Sequence, residues 1–168
     1  MQNLTINKCA LFLAIVAFCI YVNTLQNGFV YDDGLIRKNE LVKEGIAAIP
    51  TIFSSPYYED SVRENARSSG EQLYRPLPLV LFAAEYQFFG DNPMPAHLVN
   101  VLLYAGCVIL FFFFLYHLFR KKREGLAFIA ALLFALHPIH TEVVANIKSS
   151  DELLCFLFAF LSLNVFMR

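Results

Sequence analysis

Residues 96–119, AHLVNVLLYAGCVILFFFFLYHLF, form a long and largely apolar stretch of 24 residues. As an α-helix this stretch would extend about 36 Å, at ~1.5 Å per residue. That length is sufficient to cross the ~30 Å hydrocarbon core of a bilayer with some tilt. The stretch therefore predicts a transmembrane helix, and it indicates a membrane protein.

The composition of the whole chain agrees with a membrane protein. Of its 168 residues, 58% are hydrophobic and 16% are charged, whereas soluble domains have ~45–50% apolar residues, even with glycine counted, and ~25% charged ones. The mean hydropathy is +0.54, which argues against both a soluble domain and a disordered chain. The net charge of −1 gives no general attraction to nucleic acid. We expect an all-α membrane protein whose surroundings are the lipid bilayer, with no nucleic-acid partner.

Three further apolar stretches predict membrane-spanning helices at about residues 4–25, 125–136 and 153–167. The first also has the size of a signal peptide, but no Ala-x-Ala cleavage site follows it. The second has only 12 residues before His137 and Pro138, so it is either a short span packed among its neighbours or part of a broken helix. The sequence thus predicts a polytopic protein with about four transmembrane helices.

The distribution of basic residues predicts the orientation of these helices. A run of four basic residues at positions 120–123 follows the stretch 96–119. Lysine and arginine near the ends of spans are found mainly on the cytoplasmic side. Counting crossings from that run places residues 26–95 and 137–150 together on the extracytoplasmic side, where we expect them to face each other.

Two segments of the long first loop, residues 26–95, have the pattern of helices that lie in the membrane interface. Residues 41–53 have the pattern of a short amphipathic helix interrupted by Pro50. Residues 76–89 begin with proline and are mostly apolar, which suits a helix at the bilayer surface. We therefore expect this loop to carry interfacial helices.

Adjacent carboxylates, Asp32 and Asp33, follow the first span by a few residues. A carboxylate held against the bilayer can accept a proton, and a pair of carboxylates can recruit a cation. Aspartates followed by Gly34 are equally typical of a solvated turn. The residues alone leave both interpretations open.

Polar groups also precede the last apolar stretch. His137 and His140 have HxxH spacing with Pro138 between them, which differs from the helical HExxH spacing of zinc sites and suits hydrogen bonding at a helix end. Lys148 lies next to the predicted start of a helix, where backbone N–H groups favour a phosphate. A simple N-cap by Ser149 or Ser150 is the structural alternative.

Four sequence motifs occur in a fixed order along most of the chain. They are residues 29–33 (FVYDD, preceded by Asn23), 74–77 (YRPL), 97–103 (HLVNVLL) and 133–145 (LFALHPIHTEVVA). Together they resemble the N-terminal portion of membrane glycosyltransferases of the GT-C fold. The resemblance is strongest to the transmembrane and tetratricopeptide-repeat O-mannosyltransferases and their bacterial relatives.

The resemblance implies transfer of a sugar, expected to be mannose, from a polyprenyl-phosphate donor to a Ser or Thr hydroxyl of a protein or to another hydroxyl acceptor. It implies Asp32 as the base and Asp33 as the second carboxylate. Further residues are expected to contact the substrates: Arg75, His137, His140, Glu142, Lys148 and Asp151. Relatives tend to carry an arginine near the start of the last span, where this chain has Ser150, so Lys148 could substitute for it. No metal site is implied, although a divalent cation at the carboxylates stays open.

The resemblance also implies an integral protein of a bacterial inner membrane or of the endoplasmic reticulum membrane, with its site on the extracytoplasmic or lumenal face. GT-C enzymes have more than four spans. We therefore expect residues 1–168 to be a truncated, N-terminal portion of a longer transferase domain that is inactive alone. The alternative is a non-catalytic membrane scaffold or assembly subunit, in which the two aspartates only shape a turn.

Overall fold

The computed structural model describes residues 2–30, 33–57 and 74–167. Within these ranges all regular elements are helical. The α-helices are α1 (Gln2–Tyr21), α2 (Asp33–Arg37), α3 (Glu40–Lys43), α4 (Ile49–Ile52), α5 (Pro76–Phe89), α6 (Pro93–Leu118), α7 (Glu124–Leu136), α8 (His140–Ala145) and α9 (Ser150–Phe166). Short 3-10 helices lie at Val22–Gln26, Gly45–Ala48 and Ile147–Ser149.

Three helical segments of the described chain are long and apolar enough to cross a membrane, Thr5–Gln26, Pro93–Leu118 and Ile147–Phe166. They confirm the predicted all-α polytopic membrane protein. The remaining predicted stretch, residues 125–136, forms α7, whose 13 residues extend only about 20 Å, less than the bilayer core. Helix α7 ends at Leu136, and the next residue, His137, is extended with ψ 124° because a residue before a proline disfavours the helical conformation.

Helix α6 is the centre of the bundle and packs against α1, α7 and α9. The close approach of α7 has a simple cause in its sequence. Ala127, Ala131 and Ala135 are spaced four residues apart, so they lie on one face, and all three are fully buried. Small side chains allow neighbouring backbones to approach within a membrane, so α7 is held by packing although it is too short to span the bilayer.

The predicted interfacial helix at residues 41–53 is broken into α3, a 3-10 helix and α4. The break lies at Gly45, whose φ of +72° is readily adopted only by glycine. Pro50 does not interrupt a helix, because it lies in the first turn of α4, where its missing N–H has no role. The helix predicted at residues 76–89 is confirmed as α5, and its location in the membrane interface stays a prediction.

These short helices fold onto α5 and form a second apolar core. Val42 and Ile52 pack in one buried cluster with Phe82 of α5. The same cluster contains Ala96 near the start of α6 and Ile147 just before α9. The described part of the first loop therefore lies at the same end of the bundle as the segment between α7 and α9, which confirms the predicted proximity of the two polar segments.

Candidate active site

Asp33 joins the first loop to the start of the last transmembrane helix. It is the first residue of α2, and only 1% of its surface is exposed. Its Oδ2 atom accepts a hydrogen bond from the Val30 N–H at 2.8 Å, and Oδ1 accepts one from the Lys148 N–H at 3.0 Å. A buried carboxylate needs such partners. Asp32, its neighbour in sequence, lies outside the described residues.

A polar network continues from Lys148 into the bundle. The Lys148 N–H also reaches Asn146 Oδ1 at 3.1 Å, and Asn100 Nδ2 of α6 donates to the Asn146 carbonyl at 2.8 Å. The Ser150 hydroxyl lies 2.5 Å from Asn100 Oδ1 and 2.7 Å from the Ile147 carbonyl. Ser150 is buried, so its side chain points into the bundle and is a structural group at the α6–α9 junction.

His97 lies one helical turn before Asn100 and is also fully buried. Its ring is beside the main chain of Asn27 and Gly28 and close enough to Asp33 for their charges to interact. Neither ring nitrogen has a partner with good hydrogen-bond geometry among the described residues. The imidazole therefore fills the space beneath the segment that leads to the two aspartates.

Arg75 and Asp151 form an ion pair between Arg75 Nη1 and Asp151 Oδ2. The Asp151 side chain is 7% exposed and that of Arg75 is 46% exposed, so the cation keeps a face open to a ligand. The pair borders a groove of about 470 Å³ between the start of α5 and the start of α9. The walls of the groove are mostly apolar side chains, among them Leu77, Leu154 and Phe158. Glu152 also lines the groove, so the exposed guanidinium of Arg75 is the group among the described lining residues through which a ligand with an anionic head and an apolar tail would bind.

His140 borders a smaller cavity of about 190 Å³ between α6, α7, α8 and α9, together with Glu152. The imidazole ring packs 4.4 Å from the Phe134 ring, measured between centroids. Burial lowers the pKa of His140, and the nearby His137 lowers that pKa further. A histidine that stays neutral at physiological pH can accept or donate a hydrogen bond in this cavity.

The chain is similar to several proteins over most of its length. It is 39% identical over 153 residues to human "Protein O-mannosyl-transferase TMTC1", a match that covers 88% of this chain and 17% of that protein. It is 34% identical over 165 residues to mouse "Protein O-mannosyl-transferase TMTC3", covering 96% of this chain and 17% of that protein. The chain is homologous to the protein O-mannosyl-transferases. It is also 33% identical over 175 residues to the Drosophila melanogaster "Protein O-mannosyl-transferase Tmtc3", covering 18% of that protein. The chain thus spans less than a fifth of the length of each of these three relatives. No protein-family profile and no solved structure matches the chain.

This homology to O-mannosyl-transferases confirms the resemblance seen in the four motifs. The structure brings four of the predicted site residues together as two pairs: Asp33 with Lys148, and Arg75 with Asp151. His137 and Glu142 instead lie at the surface, and His137 Nδ1 accepts only the nearby Ile139 N–H, at 3.2 Å.

Residues 2–30, 33–57 and 74–167 contain no cluster of three or more histidine, cysteine or acidic residues placed to hold an ion. Asp32 lies outside those ranges. A divalent cation at the two aspartates therefore stays a prediction.

Two residues of the network, Asn100 and Asn146, were not among the candidates that the sequence suggested. Asn100 carried a signal, because a polar amide inside an apolar span usually has a specific partner. Asn146 follows α8 and caps the Ile147–Ser149 turn with its side chain, which asparagine before a helix often does. Their pairing could not be predicted, because it depends on how α6 and α9 pack.

Proposed function

We propose that the protein is a glycosyltransferase component that moves mannose from a polyprenyl-phosphate donor to a Ser or Thr hydroxyl of a protein, on the extracytoplasmic or lumenal face of its membrane. The observation that carries this proposal is the similarity, over most of the chain, to proteins named O-mannosyl-transferases. The geometry of the site supports the class of donor and the roles of individual residues.

The groove beside Arg75 supports a lipid-linked phosphate as the donor. Such a donor has a long isoprenoid tail and an anionic phosphate, and it must keep the tail in lipid while the phosphate reaches polar groups. The groove offers both environments, because its apolar walls lie next to an exposed guanidinium. Arginine binds phosphate through two parallel hydrogen bonds, and the N-terminus of α9 favours negative charge at the same place.

The reaction requires a base for the acceptor hydroxyl, and Asp32 is the residue that we assign to it. The hydroxyl oxygen attacks C1 of the sugar while its proton passes to the Asp32 carboxylate. A new C1–O bond forms, the bond from C1 to the phosphate oxygen breaks, and the electron pair leaves with the lipid phosphate. General-base assistance of this kind contributes a factor of ~10² to 10⁴ in rate.

Asp33 has a different role in this proposal. Its two carboxylate oxygens accept backbone N–H groups from Val30 and Lys148, and the residue is buried, so it is poorly placed to take the proton of an acceptor hydroxyl. The hydrogen bonds fix the main chain next to Asp32 relative to the start of α9. Asp33 thus acts as a positioning residue, and Asp32 as the catalytic one.

The proposed donor site can be tested with variants that distinguish the effect of the Arg75 charge on donor binding from the structural role of its ion pair with Asp151. Arg75→Gln removes the guanidinium but leaves the nearly buried Asp151 without its partner, which destabilises the fold. The double variant Arg75→Gln/Asp151→Asn removes both charges and should recover most of that stability. Sugar transfer from a polyprenyl-phosphate donor should still need about tenfold more donor in the double variant, because a charge-assisted contact is worth ~1.5–3 kcal/mol.

Arg37→Gln is the matched control, since Arg37 pairs with Asp91 on the exposed surface and does not border the groove among its described lining residues. It should leave the donor requirement unchanged. Normal donor dependence of the double variant would show that the Arg75–Asp151 pair is only structural. The absence of transfer by the unmodified full-length protein would favour the scaffold alternative.

A further inference from the structure

Another cavity, with a partly polar lining, lies at the opposite end of the bundle from the candidate active site. It is bordered by the beginning of α1 and by the ends of α6 and α9, whereas the site described above lies at the other ends of these helices. Its volume is about 460 Å³. A cavity at the ends of three membrane-spanning helices lies where the headgroups of a bilayer meet the protein.

The lining of this cavity has a polar side and an apolar side. Asn7, His117 and Lys121 contribute polar groups, and Leu110 and Phe113 contribute apolar wall. None of its described lining residues is acidic. The only formal charge that the described lining brings to the cavity is therefore the positive charge of Lys121.

Hydrogen bonds from a buried amide fix the polar side. Asn164 Nδ2 donates to the Leu110 carbonyl at 2.9 Å, and Asn164 Oδ1 lies 3.3 Å from His117 Nδ1. Because the amide nitrogen is the donor to Leu110, the amide oxygen is the acceptor toward His117. The histidine ring is thereby held in place at the cavity.

The turn that carries Lys121 has an unusual backbone. The Lys121 N–H donates to the Tyr116 carbonyl at 2.9 Å and the Arg120 N–H to the His117 carbonyl at 2.8 Å, the two bonds of a Schellman motif at the end of α6. Glycine normally occupies the left-handed position of this motif, but here Arg120 has φ 53° and Lys121 has φ 60°. Such strain in residues other than glycine is concentrated at functional sites. In this turn, Lys121, one of the two residues with positive φ, lines the cavity.

We propose that this cavity binds the headgroup of an anionic phospholipid, with Lys121 at the phosphate and with Leu110 and Phe113 against the start of an acyl chain. Charge complementarity favours this occupant, since the turn carries four consecutive basic residues at positions 120–123. Basic pockets between membrane-spanning helices are typical binding sites for anionic headgroups. The proposal does not depend on the sugar-transfer reaction.

The test uses the full chain purified in an uncharged detergent and native mass spectrometry with defined lipids. Dioleoyl phosphatidylglycerol and dioleoyl phosphatidylcholine have the same acyl chains and differ in headgroup charge. We expect one tightly bound phosphatidylglycerol per chain, with an affinity at least tenfold higher than that for phosphatidylcholine. Lys121→Asn should reduce this preference about tenfold, the magnitude of a lost charge-assisted contact, and asparagine tolerates a positive φ.

Lys122→Asn is the matched control, because it removes the same charge from a residue that is not among the described lining residues. It should reduce binding no more than a few-fold. Asn7→Leu tests the cavity from α1 and should also weaken phosphatidylglycerol binding, so the result does not depend on how one turn tolerates substitution.

Three results would overturn the proposal. Equal losses in the Lys121 and Lys122 variants would mean that the basic turn attracts anionic lipid without a specific site. Equal binding of the two lipids would exclude headgroup recognition. Displacement of the bound lipid by millimolar inorganic phosphate would mean that the cavity takes free phosphate.

Discussion

Replacing Asp33 with asparagine should destabilise the fold far more than the same change at an exposed aspartate. The carboxylate accepts two backbone N–H groups, from Val30 and Lys148. An asparagine can accept only one of them with its oxygen, and its NH₂ group then faces the second N–H. The donor that faces the NH₂ group loses its charge-assisted hydrogen bond and meets a second N–H, which costs ~1–3 kcal/mol, and the retained bond loses its charge assistance.

The expected loss is therefore about 2–3 kcal/mol in the free energy of unfolding. For a chain of this length that corresponds to a decrease on the order of 5–10 °C in the unfolding midpoint. Thermal unfolding of the protein in detergent, followed by circular dichroism, measures this decrease. Amide hydrogen exchange at Lys148 gives an independent readout, because that N–H keeps only its hydrogen bond to Asn146 Oδ1 and should exchange faster.

Asp91→Asn is the control, because Asp91 pairs with Arg37 at the surface, where the two side chains are 47% and 45% exposed. Exposed ion pairs contribute only ~0–1 kcal/mol, so the midpoint should change by a few degrees at most. Equal decreases in the two variants, or unchanged exchange at Lys148, would refute the structural role of Asp33 and with it the separation of roles between Asp32 and Asp33.

Two further predictions concern buried positions. Burial raises the pKa of Glu85 from 4.5 to about 7, and Glu85 Oε1 has no described hydrogen-bond partner, so the stability of the fold should decrease as pH rises from 4.5 through 7. Glu85→Gln should therefore raise the unfolding midpoint at pH 8 and leave it nearly unchanged at pH 5. Equal effects at both pH values would contradict this prediction. Ser150→Arg should destabilise the junction of α6 and α9 without improving donor affinity, because the Ser150 side chain is buried against Asn100; a stable variant with tighter donor binding would contradict this placement.

The helices that cross the membrane could be predicted from the sequence because their signal is local. Residues 96–119 are largely apolar, and the structure forms α6 over nearly the same range. Proline positions were also informative, since α7 ends at Leu136, two residues before Pro138. The break in residues 41–53 was assigned to Pro50 and lies at Gly45, because proline fits a first helical turn as well as it ends a helix.

The candidate site was only partly predictable, because its contacts join residues far apart in the chain. Asp33 and Lys148 were both suggested by the sequence, but their hydrogen bond spans 115 positions and depends on how the loop packs over α5. Ser150 illustrates the limit most clearly. The sequence suggested that it occupies the place of a donor-binding arginine, whereas packing turns its hydroxyl toward Asn100.

We propose that Asp32 is the base of a sugar transferase and that Asp33 holds it in position. Transfer of mannose from a polyprenyl-phosphate donor to a Ser/Thr-containing acceptor tests this assignment, in membranes that contain the full-length protein or its Asp32→Asn variant. The variant should insert and unfold normally and bind the donor, while turnover falls by ~10² to 10⁴. Near-normal transfer by a correctly inserted Asp32→Asn variant would exclude Asp32 as the base.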